Sequence, residues 1–238
     1  MLSSVVERLY NIADVFHTRR IRNLFAGKNI GFVIDVGAHK GEFIRLVIDH
    51  SVPVFVFEPQ KSVHTTLESA IAKHNVRKFF KCAASDKAGE VNLYVNSLSS
   101  TTSILLPDET STWMRFKKAI LGGQLIKTVE KVSVTTLDQA VLPEVGGLDK
   151  GLLKIDVEGN EGRVLAGAYS LLSSGKVEFV QIERARYKIY KDDSPDPVEI
   201  LHQFGFKEYK TFLFPLLNFS DVIFQRVANP SVSHRDRA

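Results

Sequence analysis

From residue 30 onward, the chain alternates short apolar runs with stretches in which apolar residues recur at helical spacing. Apolar runs without regular polar alternation are typical of strands that are buried on both faces. Strands that alternate with helices predict a parallel sheet covered by helices on both sides. The fold class is therefore α/β. The predicted strands are 31–37, 52–59, 77–84, 151–159 and 177–183, and the predicted helices are 41–50, 60–75 and about 160–173.

Two segments interrupt this alternation. A short alternating strand at 91–96 is followed by an insert, 97–131, which begins polar and turn-rich and becomes amphipathic. Long insertions of this kind often cover a binding face, so the insert is predicted to be a lid or an acceptor wall. At the other end, 205–214 and 219–227 predict a closing hairpin, which adds an antiparallel strand to the sheet.

The two ends of the chain are expected to lie outside the central domain. Residues 2–16 carry apolar side chains on one helical stripe, which predicts an N-terminal helical extension over 1–29 that packs on the outside of the domain. Docking to a membrane or a partner is the alternative for this helix. The central domain is expected over 30–227, and the tail 228–238 is expected to be disordered.

Composition limits the kinds of protein and the cellular compartments that are expected. No apolar run approaches the roughly 20 residues that a membrane-spanning helix needs, and the first 16 residues show no cleavage site of a signal peptide. The single cysteine, Cys82, excludes an internal disulfide framework and a cysteine zinc site, which favours a reducing, cytoplasmic setting. The formal net charge of +4 is modest and is interpreted as a solvated surface with a basic tail.

The first predicted strand ends in a glycine turn. Asp35 closes the strand, and Gly37, His39 and Gly41 precede the next helix. Gly37 permits a sharp turn and the close approach of a ligand, while the start of the helix offers unpaired N–H groups. This pattern predicts a nucleotide-type site at the carboxyl end of the first strand, with His39 either contacting the ligand or lining the turn.

The identity of the nucleotide depends on the acids around this turn. A dinucleotide site requires G-x-G-x-x-G, whereas this chain has only Gly37 and Gly41, and Asp35 would repel a pyrophosphate. Asp35 suits the ammonium group of an amino acid instead. Glu58, at the end of the second strand, is placed to accept hydrogen bonds from both ribose hydroxyls. The combination favours S-adenosylmethionine over NAD.

Two further polar residues, Ser85 and Asp86, follow the third predicted strand. They are candidates for binding the exocyclic amine of an adenine that lies across the sheet. The alternative is an ordinary aspartate turn before Gly89. The chemistry of these residues leaves both interpretations open.

The stretch "LLKIDVEGNE", residues 152–161, ends a buried strand with charged side chains. In an extended chain, Lys154, Asp156 and Glu158 point to the same side. Buried charge is costly unless it is paired or used, so a functional role is expected for this group.

Several stretches together resemble the FkbM family of S-adenosylmethionine-dependent methyltransferases, over about residues 31–226. They are "DVGAHKGEF", "FVFEP", "CAASDKAGEVNLYV", "VTTLDQ", "LLKIDVEGNEGRVLAGA" and "GF…SDVIFQR". The resemblance implies a class I, Rossmann-like sheet of seven strands in which the last is antiparallel, with the cofactor over the first three strands. It also implies O-methylation of a hydroxyl on a small-molecule or glycan acceptor. His39 departs from the motif of many relatives.

In such a fold, the carboxyl end of the fourth strand lies next to the transferred methyl group. Asp156 is then the first candidate for the base or for the group that orients the acceptor, since an attacking hydroxyl must lose its proton. Glu158 is a candidate for binding a second hydroxyl, Lys154 for tuning a carboxylate, and Glu183 for completing the polar cluster. The alternative for Glu158, and for Glu161 as well, is to stabilise the N-terminus of the following helix.

Other functions remain open at this stage. A magnesium ion bridging Asp156, Glu158 and Glu183 is conceivable but not favoured, because the spacing does not require a metal. An RNA methyltransferase is an alternative enzyme, with thin support from basic residues at 18–22 and 115–118. A cofactor-binding module without catalysis is the alternative outside the enzymes. No nucleic-acid partner is favoured.

Overall fold

The computed structural model describes residues 17–96, 102–106, 108, 115, 126–185, 194–213 and 219–227. The predicted helix over 2–16, the tail 228–238 and most of the insert 97–131 lie outside these residues. One helix, α1, is described over 17–25.

The remaining elements follow the predicted alternation for most of the chain. The strands are β1 Phe32–Val36, β2 Val54–Phe57, β3 Val76–Phe80, β4 Ala83–Ala84, β5 Gly89–Asn96, β6 Ile126–Thr135, β7 Gly151–Ile155, β8 Val177–Ala185, β9 Phe206–Leu213 and β10 Phe219–Arg226. The helices are α2 Glu42–Val47, α3 His64–Ile71, α4 Leu137–Ala140, α5 Glu161–Ala166, α6 Tyr169–Ser173 and α7 Pro197–Gln203.

Seven strands form the main sheet in the order β3-β2-β1-β7-β8-β10-β9. Strand β10 runs antiparallel to both of its neighbours, whereas β3, β2, β1, β7 and β8 pair in parallel. This confirms the predicted class I sheet with an antiparallel last strand. The direction of strand addition reverses between β1 and β7, and ligands of open α/β sheets bind in the crevice at such a point.

Helices cover both faces of the sheet. Apolar side chains from α1, α2 and α3 pack on one face, where Val33 and Val54 lie. Side chains from α4, α5, α6 and α7 pack on the other face, against Ile34 and Phe55. Every residue of β1, β2 and β7 is buried, which explains why their sequences are nearly continuous apolar runs.

The structure differs from several of the predicted elements. The strand predicted over 77–84 divides into β3 and β4, because Ala83 and Ala84 pair with β6 in a separate sheet of β4, β6 and β5. Strand β6 begins at Ile126 and pairs with β5, so the end of the predicted insert 97–131 is a strand. The helix predicted over about 160–173 is two helices. They meet at Gly167, where a Cβ atom would lie 2.1 Å from the backbone oxygen of Ser85.

Within the part of the chain that the structure describes, no helix is both long enough and apolar enough to cross a membrane.

Candidate active site

The turn after β1 is shaped by the neighbouring strand β7. Gly37 has a φ of 82°, and a Cβ atom there would lie 1.9 Å from the backbone oxygen of Asp156. The Asp156 N–H in turn donates to the Val36 carbonyl at 3.0 Å. The sequence predicted that Gly37 makes room for a ligand. In the structure, the backbone of Asp156 occupies the position that a side chain would take. Gly37 joins the ends of two strands at the crevice.

The end of the same turn is held by α3. Gly41 has a φ of 80° and stands immediately before α2. A Cβ atom at this position would lie 3.0 Å from Leu67 and from Ile71, both on α3. Gly41 therefore allows the turn to close against the buried face of α3.

Glu58 anchors the glycine turn to the end of β2. Its Oε2 accepts a hydrogen bond from the backbone N–H of His39, and its Oε1 accepts one from the N–H of Gln60, both at 2.7 Å. Burial raises the pKa of Glu58 to about 7, although these two bonds oppose the shift. His39 itself has a φ of 49°, and burial lowers the pKa of its imidazole. The structure thus joins Glu58 to the backbone of His39, and the contacts of both residues with a cofactor stay predictions.

Lys154 connects β7 to the glycine turn. Its Nζ lies 3.1 Å from Asp35 Oδ1 and 3.3 Å from Asp156 Oδ2, and it donates to the Gly37 carbonyl at 3.0 Å. Burial alone would lower the pKa of Lys154, but the two carboxylates outweigh it and raise the pKa above its ordinary value. Lys154 is therefore an ammonium ion that orients Asp156.

Asp35 has no exposed surface, whereas the Asp156 side chain is 39% exposed. Burial raises the pKa of Asp35, and Lys154 opposes that shift. Neither Asp35 oxygen accepts a well-aligned hydrogen bond from the described residues. The structure therefore shows Asp35 as the counter-ion of Lys154, and its direct contact with a cofactor ammonium stays a prediction.

Glu158 does not continue the alternation of Lys154 and Asp156. Strand β7 ends at Ile155, and Glu158 has a φ of 55°, so the predicted extended geometry is wrong at this residue. The Glu158 side chain is buried, and its backbone oxygen accepts a hydrogen bond from Ser103 Oγ at 2.8 Å. A residue of the insert is thereby bound to the loop that follows β7.

Glu161 holds the same loop from the first turn of α5. Its Oε1 accepts hydrogen bonds from Gly159 N at 3.0 Å and from Val157 N at 3.4 Å. Burial raises the pKa of Glu161 to about 7, against the effect of its backbone bonds. These contacts favour the structural interpretation of Glu161 that the sequence left open.

Glu183 lies on β8 next to this group of carboxylates. Burial raises its pKa well above the ordinary value, and the negative charges of Asp156 and Glu158 raise it further. The three predicted acids are therefore close enough to interact. Among the described residues, no group of three or more His, Cys, Asp or Glu side chains is arranged to hold a metal ion, so the structure gives the magnesium alternative no support.

Ser85 and Asp86 lie at the end of β4, where Ser85 Oγ donates to Asp86 Oδ1 at 3.2 Å. Asn160, which was not among the predicted site residues, donates from its Nδ2 to the Ala84 carbonyl at 3.2 Å and to Ser85 Oγ at 3.4 Å. Asn160 thus links the predicted adenine end of the site to the loop after β7. Its position inside "EGNE" was the available signal.

A second polar group that was not predicted connects β8, β10 and α1. Gln181 Nε2 on β8 donates to Asp221 Oδ1 on β10 at 2.8 Å. The other oxygen of Asp221 contacts the Nε2 atom of His17 on α1. A glutamine inside the apolar run "VEFVQIE" was the one local signal for this group.

Comparisons with known proteins identify relatives. The model of a family described as the methyltransferase FkbM domain matches residues 35–212. The 31-O-demethyl-FK506 methyltransferase FkbM of Streptomyces tacrolimicus is 32% identical over 151 residues, which are 57% of this chain and 58% of that protein. The aligned part is therefore less than two thirds of that relative's length.

A solved structure shows a similar fold. It is the magnesium protoporphyrin IX methyltransferase of Synechocystis PCC 6803, determined with bound SAH, at 12% identity and a TM-score of 0.51. The superposition covers 93% of this chain and 87% of that one. At this identity the likeness shows the fold alone. The family match, by contrast, extends over well more than half of the sequence and includes the glycine turn and β7. The chain belongs to the FkbM methyltransferase family.

Proposed function

We propose that this chain transfers a methyl group from S-adenosylmethionine to a hydroxyl of a small-molecule or glycan acceptor. The observation that carries the proposal is the Asp156 carboxylate, which is partly exposed at the carboxyl end of β7 and is held by the buried Lys154. The name of the Streptomyces relative, a 31-O-demethyl-FK506 methyltransferase, supports oxygen as the acceptor atom.

The residues at the ends of β1, β2 and β4 fit this cofactor. Each oxygen of Glu58 accepts one backbone hydrogen bond and keeps a second lone pair for a ribose hydroxyl. Asp35 Oδ1 faces the Lys154 ammonium, whereas Oδ2 has no donor among the described residues and suits an ammonium group near the glycine turn. Ser85 and Asp86 would bind the adenine amine. When bound, the cofactor supplies a methyl group on a sulfonium, which is activated for in-line displacement.

The acceptor side would be formed by the acids after β7 and on β8. Asp156 would accept the proton of the attacking hydroxyl, while Lys154 keeps its carboxylate in position. Glu183, whose pKa is raised by burial and by the nearby carboxylates, would form a hydrogen bond with the acceptor beside Asp156. Glu158 would bind a second hydroxyl. Holding the hydroxyl in line with the methyl group is the larger part of the catalytic work.

Two other expectations belong to this proposal. The single cysteine supports a cytoplasmic location. The hydrogen bond from Ser103 to Glu158 supports the insert 97–131 as part of the acceptor wall. Both expectations are consistent with a soluble small-molecule acceptor.

The first test combines binding with methyl transfer. S-adenosylhomocysteine is titrated calorimetrically into the wild type and Asp156→Asn, and transfer of labelled methyl from S-adenosylmethionine into pools of glycosides and polyketides is counted. We expect similar binding in both proteins and a loss of transfer of about 100-fold or more in the variant. Glu68→Gln, which removes an exposed carboxylate of α3, is the matched control.

Other outcomes of this test would contradict the proposal or favour one of the alternative functions. A folded protein that does not bind S-adenosylhomocysteine would contradict the proposal. Binding without transfer to any pool would favour the module without catalysis. Transfer to RNA, with binding that weakens steeply as salt is raised, would favour the RNA methyltransferase.

A further inference from the structure

The exposed side of α1 and the neighbouring face of β9 form one basic surface. Ile21 and Phe25 are buried between α1 and the sheet, whereas three of the exposed side chains of α1 are arginines. Strand β9 adds two exposed lysines. The basic surface is defined by six residues: Arg19, Arg20 and Arg22 on α1, Lys28 after it, and Lys207 and Lys210 on β9.

The register of β9 places its two lysines on the side of the sheet that α1 covers. Lys210 is the partner of Ile223 on β10, which belongs to the apolar cluster into which α1 packs. Lys207 is the partner of Gln225, which in turn is the partner of Phe179 in the same cluster. Partners on adjacent strands present their side chains to one face of a sheet. The lysines of β9 and the arginines of α1 therefore face the same side of the molecule.

The basic surface is not neutralised within the part of the chain that the structure describes. None of its six cations forms a salt bridge with a described carboxylate. Residues 17–34 contain no Asp or Glu. Glu208 on β9 is the partner of Phe224, which belongs to the cluster on the opposite face, and it accepts a hydrogen bond from Thr211. Six positive charges exceed the formal net charge of +4, so the rest of the chain is net negative.

An exposed aromatic residue lies within this surface. Tyr209 is 44% exposed, and its hydroxyl accepts a hydrogen bond from Lys28 Nζ at 3.2 Å. Tyrosine is enriched at membrane–water interfaces because its ring is apolar and its hydroxyl is polar. Clusters of about four to eight Lys or Arg residues are typical of surfaces that bind anionic lipids. The composition of the basic surface therefore suits lipid headgroups.

The position of the surface relative to the crevice favours a membrane over a nucleic acid. Helix α1 begins beside the acceptor end of the crevice, because His17 contacts Asp221, the register partner of Glu183. The residues proposed for the acceptor, Asp156, Glu158 and Glu183, are acids. An RNA acceptor would carry its phosphates into this acidic crevice, where they would be repelled. A bilayer would contact only the outer surface of α1 and β9, where the charge is positive.

We propose that the basic surface docks the protein on the anionic phospholipid headgroups of a membrane. The cations of α1 and β9 contact the lipid phosphates, and Tyr209 lies at the level of the headgroups. The binding is peripheral and depends on charge, because Ile21 and Phe25 are occupied by the sheet and are not available for insertion. This inference goes beyond the proposed methyl transfer and does not depend on it.

Vesicle binding tests the proposal without cofactor or acceptor. The full chain is mixed with vesicles of phosphatidylcholine alone or of phosphatidylcholine with phosphatidylglycerol, and the bound fraction is measured by co-sedimentation at low and high salt. We expect at least about tenfold tighter binding to the anionic vesicles, and weaker binding as salt screens the charges. Equal binding to the two kinds of vesicle, or binding to neither, would overturn this inference and leave methyl transfer standing.

Two triple variants with the same change of net charge test the surface itself. The first removes three exposed cations of the basic surface: Arg19→Gln, Lys207→Gln and Lys210→Gln. The matched control removes three exposed cations near β3, at the other edge of the main sheet, and before β5: Lys73→Gln, Arg77→Gln and Lys87→Gln. A third variant keeps the charges of the basic surface: Arg19→Lys, Lys207→Arg and Lys210→Arg.

We expect the first variant to bind anionic vesicles at least about tenfold more weakly than the wild type, and the control to change little. The variant that keeps the charges should bind like the wild type, which guards against a folding effect. S-adenosylhomocysteine affinity should be the same in all of them. Equal losses of vesicle binding in the first variant and the control would overturn the assignment of the surface.

A labelled uridine oligonucleotide separates the two anionic partners. It is offered to the full chain alone and in competition with the anionic vesicles at equal phosphate concentration. We expect the vesicles to bind more tightly. Tighter binding of the RNA, lost in the first variant and steeply dependent on salt, would overturn membrane docking and assign the surface to a nucleic acid.

Discussion

The ammonium of Lys154 lies 3.1 Å from the Asp35 carboxylate, across the junction of β1 and β7. Asp35 is fully buried, so Lys154 is the cation that compensates its charge among the described residues. The same ammonium binds the carbonyl of Gly37 and the carboxylate of Asp156. One side chain thus connects the turn proposed for the cofactor with the acid proposed for catalysis.

Removing this lysine should destabilise the protein. We expect Lys154→Met to lower the free energy of unfolding by about 3–5 kcal/mol, because it leaves the buried Asp35 charge without its partner. Urea denaturation measures the change, with Lys78→Met, an exposed lysine on β3, as the control. The double variant Asp35→Asn, Lys154→Met should recover part of the loss. Equal stability of Lys154→Met and Lys78→Met would contradict the assignment of a buried pair.

Cofactor binding should depend on pH through Glu58. Its pKa of about 7 means that the carboxylate is protonated below pH 7 and charged above it. We therefore expect the affinity for S-adenosylhomocysteine to rise from pH 6 to pH 8 and then to level off, because the charged form accepts hydrogen bonds from ribose more strongly.

Calorimetry across this pH range is the measurement, and Glu58→Gln should bind more weakly with little pH dependence. The variant His39→Gln separates the contribution of the nearby imidazole. A pH profile that Glu58→Gln leaves unchanged would refute the role of this carboxylate.

The insert should act through Ser103. Ser103 Oγ donates to the Glu158 carbonyl and accepts from the Leu105 N–H, and the residue is buried. We expect Ser103→Ala to lower the free energy of unfolding by about 1 kcal/mol and to raise KM for the acceptor, with cofactor affinity unchanged. Thermal denaturation and steady-state kinetics check both effects. Ser69→Ala, which removes a hydroxyl bonded to the exposed turn of α3, is the control; a weaker cofactor affinity in Ser103→Ala would contradict the assignment to the acceptor side.

Glu161 should make the ligand-free protein more stable in mild acid. Its pKa is about 7 in the folded state, above the ordinary value of 4.5, so folding takes up a proton between these pH values. The stabilisation is complete below about pH 4.5 and is lost as pH rises through 7. We expect Glu161→Gln to reduce the loss of stability between pH 5 and pH 8, by up to about 3 kcal/mol for a shift of this size.

Urea denaturation at several pH values measures this difference. Glu58 and Glu183 contribute in the same direction because their pKa values are also raised, while the lowered pKa values of His39 and His74 act in the opposite direction. The comparison with Glu161→Gln therefore isolates one group. An unchanged pH dependence in the variant would show that Glu161 is ionised without cost in the folded state.

Gly37 should tolerate no side chain. Alanine there must adopt a φ of 82° and would place its Cβ atom 1.9 Å from the Asp156 carbonyl. We expect Gly37→Ala to lose more than about 4 kcal/mol of stability or to fail to fold. Gly175→Ala separates the two causes, because Gly175 has a φ of 74° but no atom within 4 Å of its Cβ position. A loss in Gly37→Ala no larger than in Gly175→Ala would contradict the steric argument.

The sequence predicted the main sheet because its central strands are buried on both faces and therefore lack polar alternation. It did not predict the division of β3 from β4, since no glycine or proline separates Phe80 from Ala83 and the pairing partner of Ala83 lies on distant β6. Strand periodicity was extended past Ile155, where β7 ends, to Glu158, and Gly159 was the local sign that the strand had ended.

The candidate site also contains some contacts that the sequence predicted and others that it did not. The pairing of Lys154 with Asp156 followed from strand alternation. Glu58 was predicted only as a ribose contact, and its hydrogen bond to the backbone of the glycine turn was not predicted. The contact between His17 and Asp221 joins residues that are 204 positions apart, and nothing local indicates it. Spacing along one strand is visible in a sequence, whereas the meeting of distant segments depends on the folded topology.

The contact between His17 and Asp221 also has an evolutionary consequence. Both residues lie outside 35–212, the stretch that matches the family, yet they meet beside Gln181, on the side of the crevice proposed for the acceptor. The segments on either side of the family match can therefore differ between relatives and alter the surroundings of Asp156, while the turn at Gly37 and Glu58 stays the same. Under the proposed function, exchange of the terminal segments would change the acceptor without altering the glycine turn and Glu58, the residues proposed for the methyl donor.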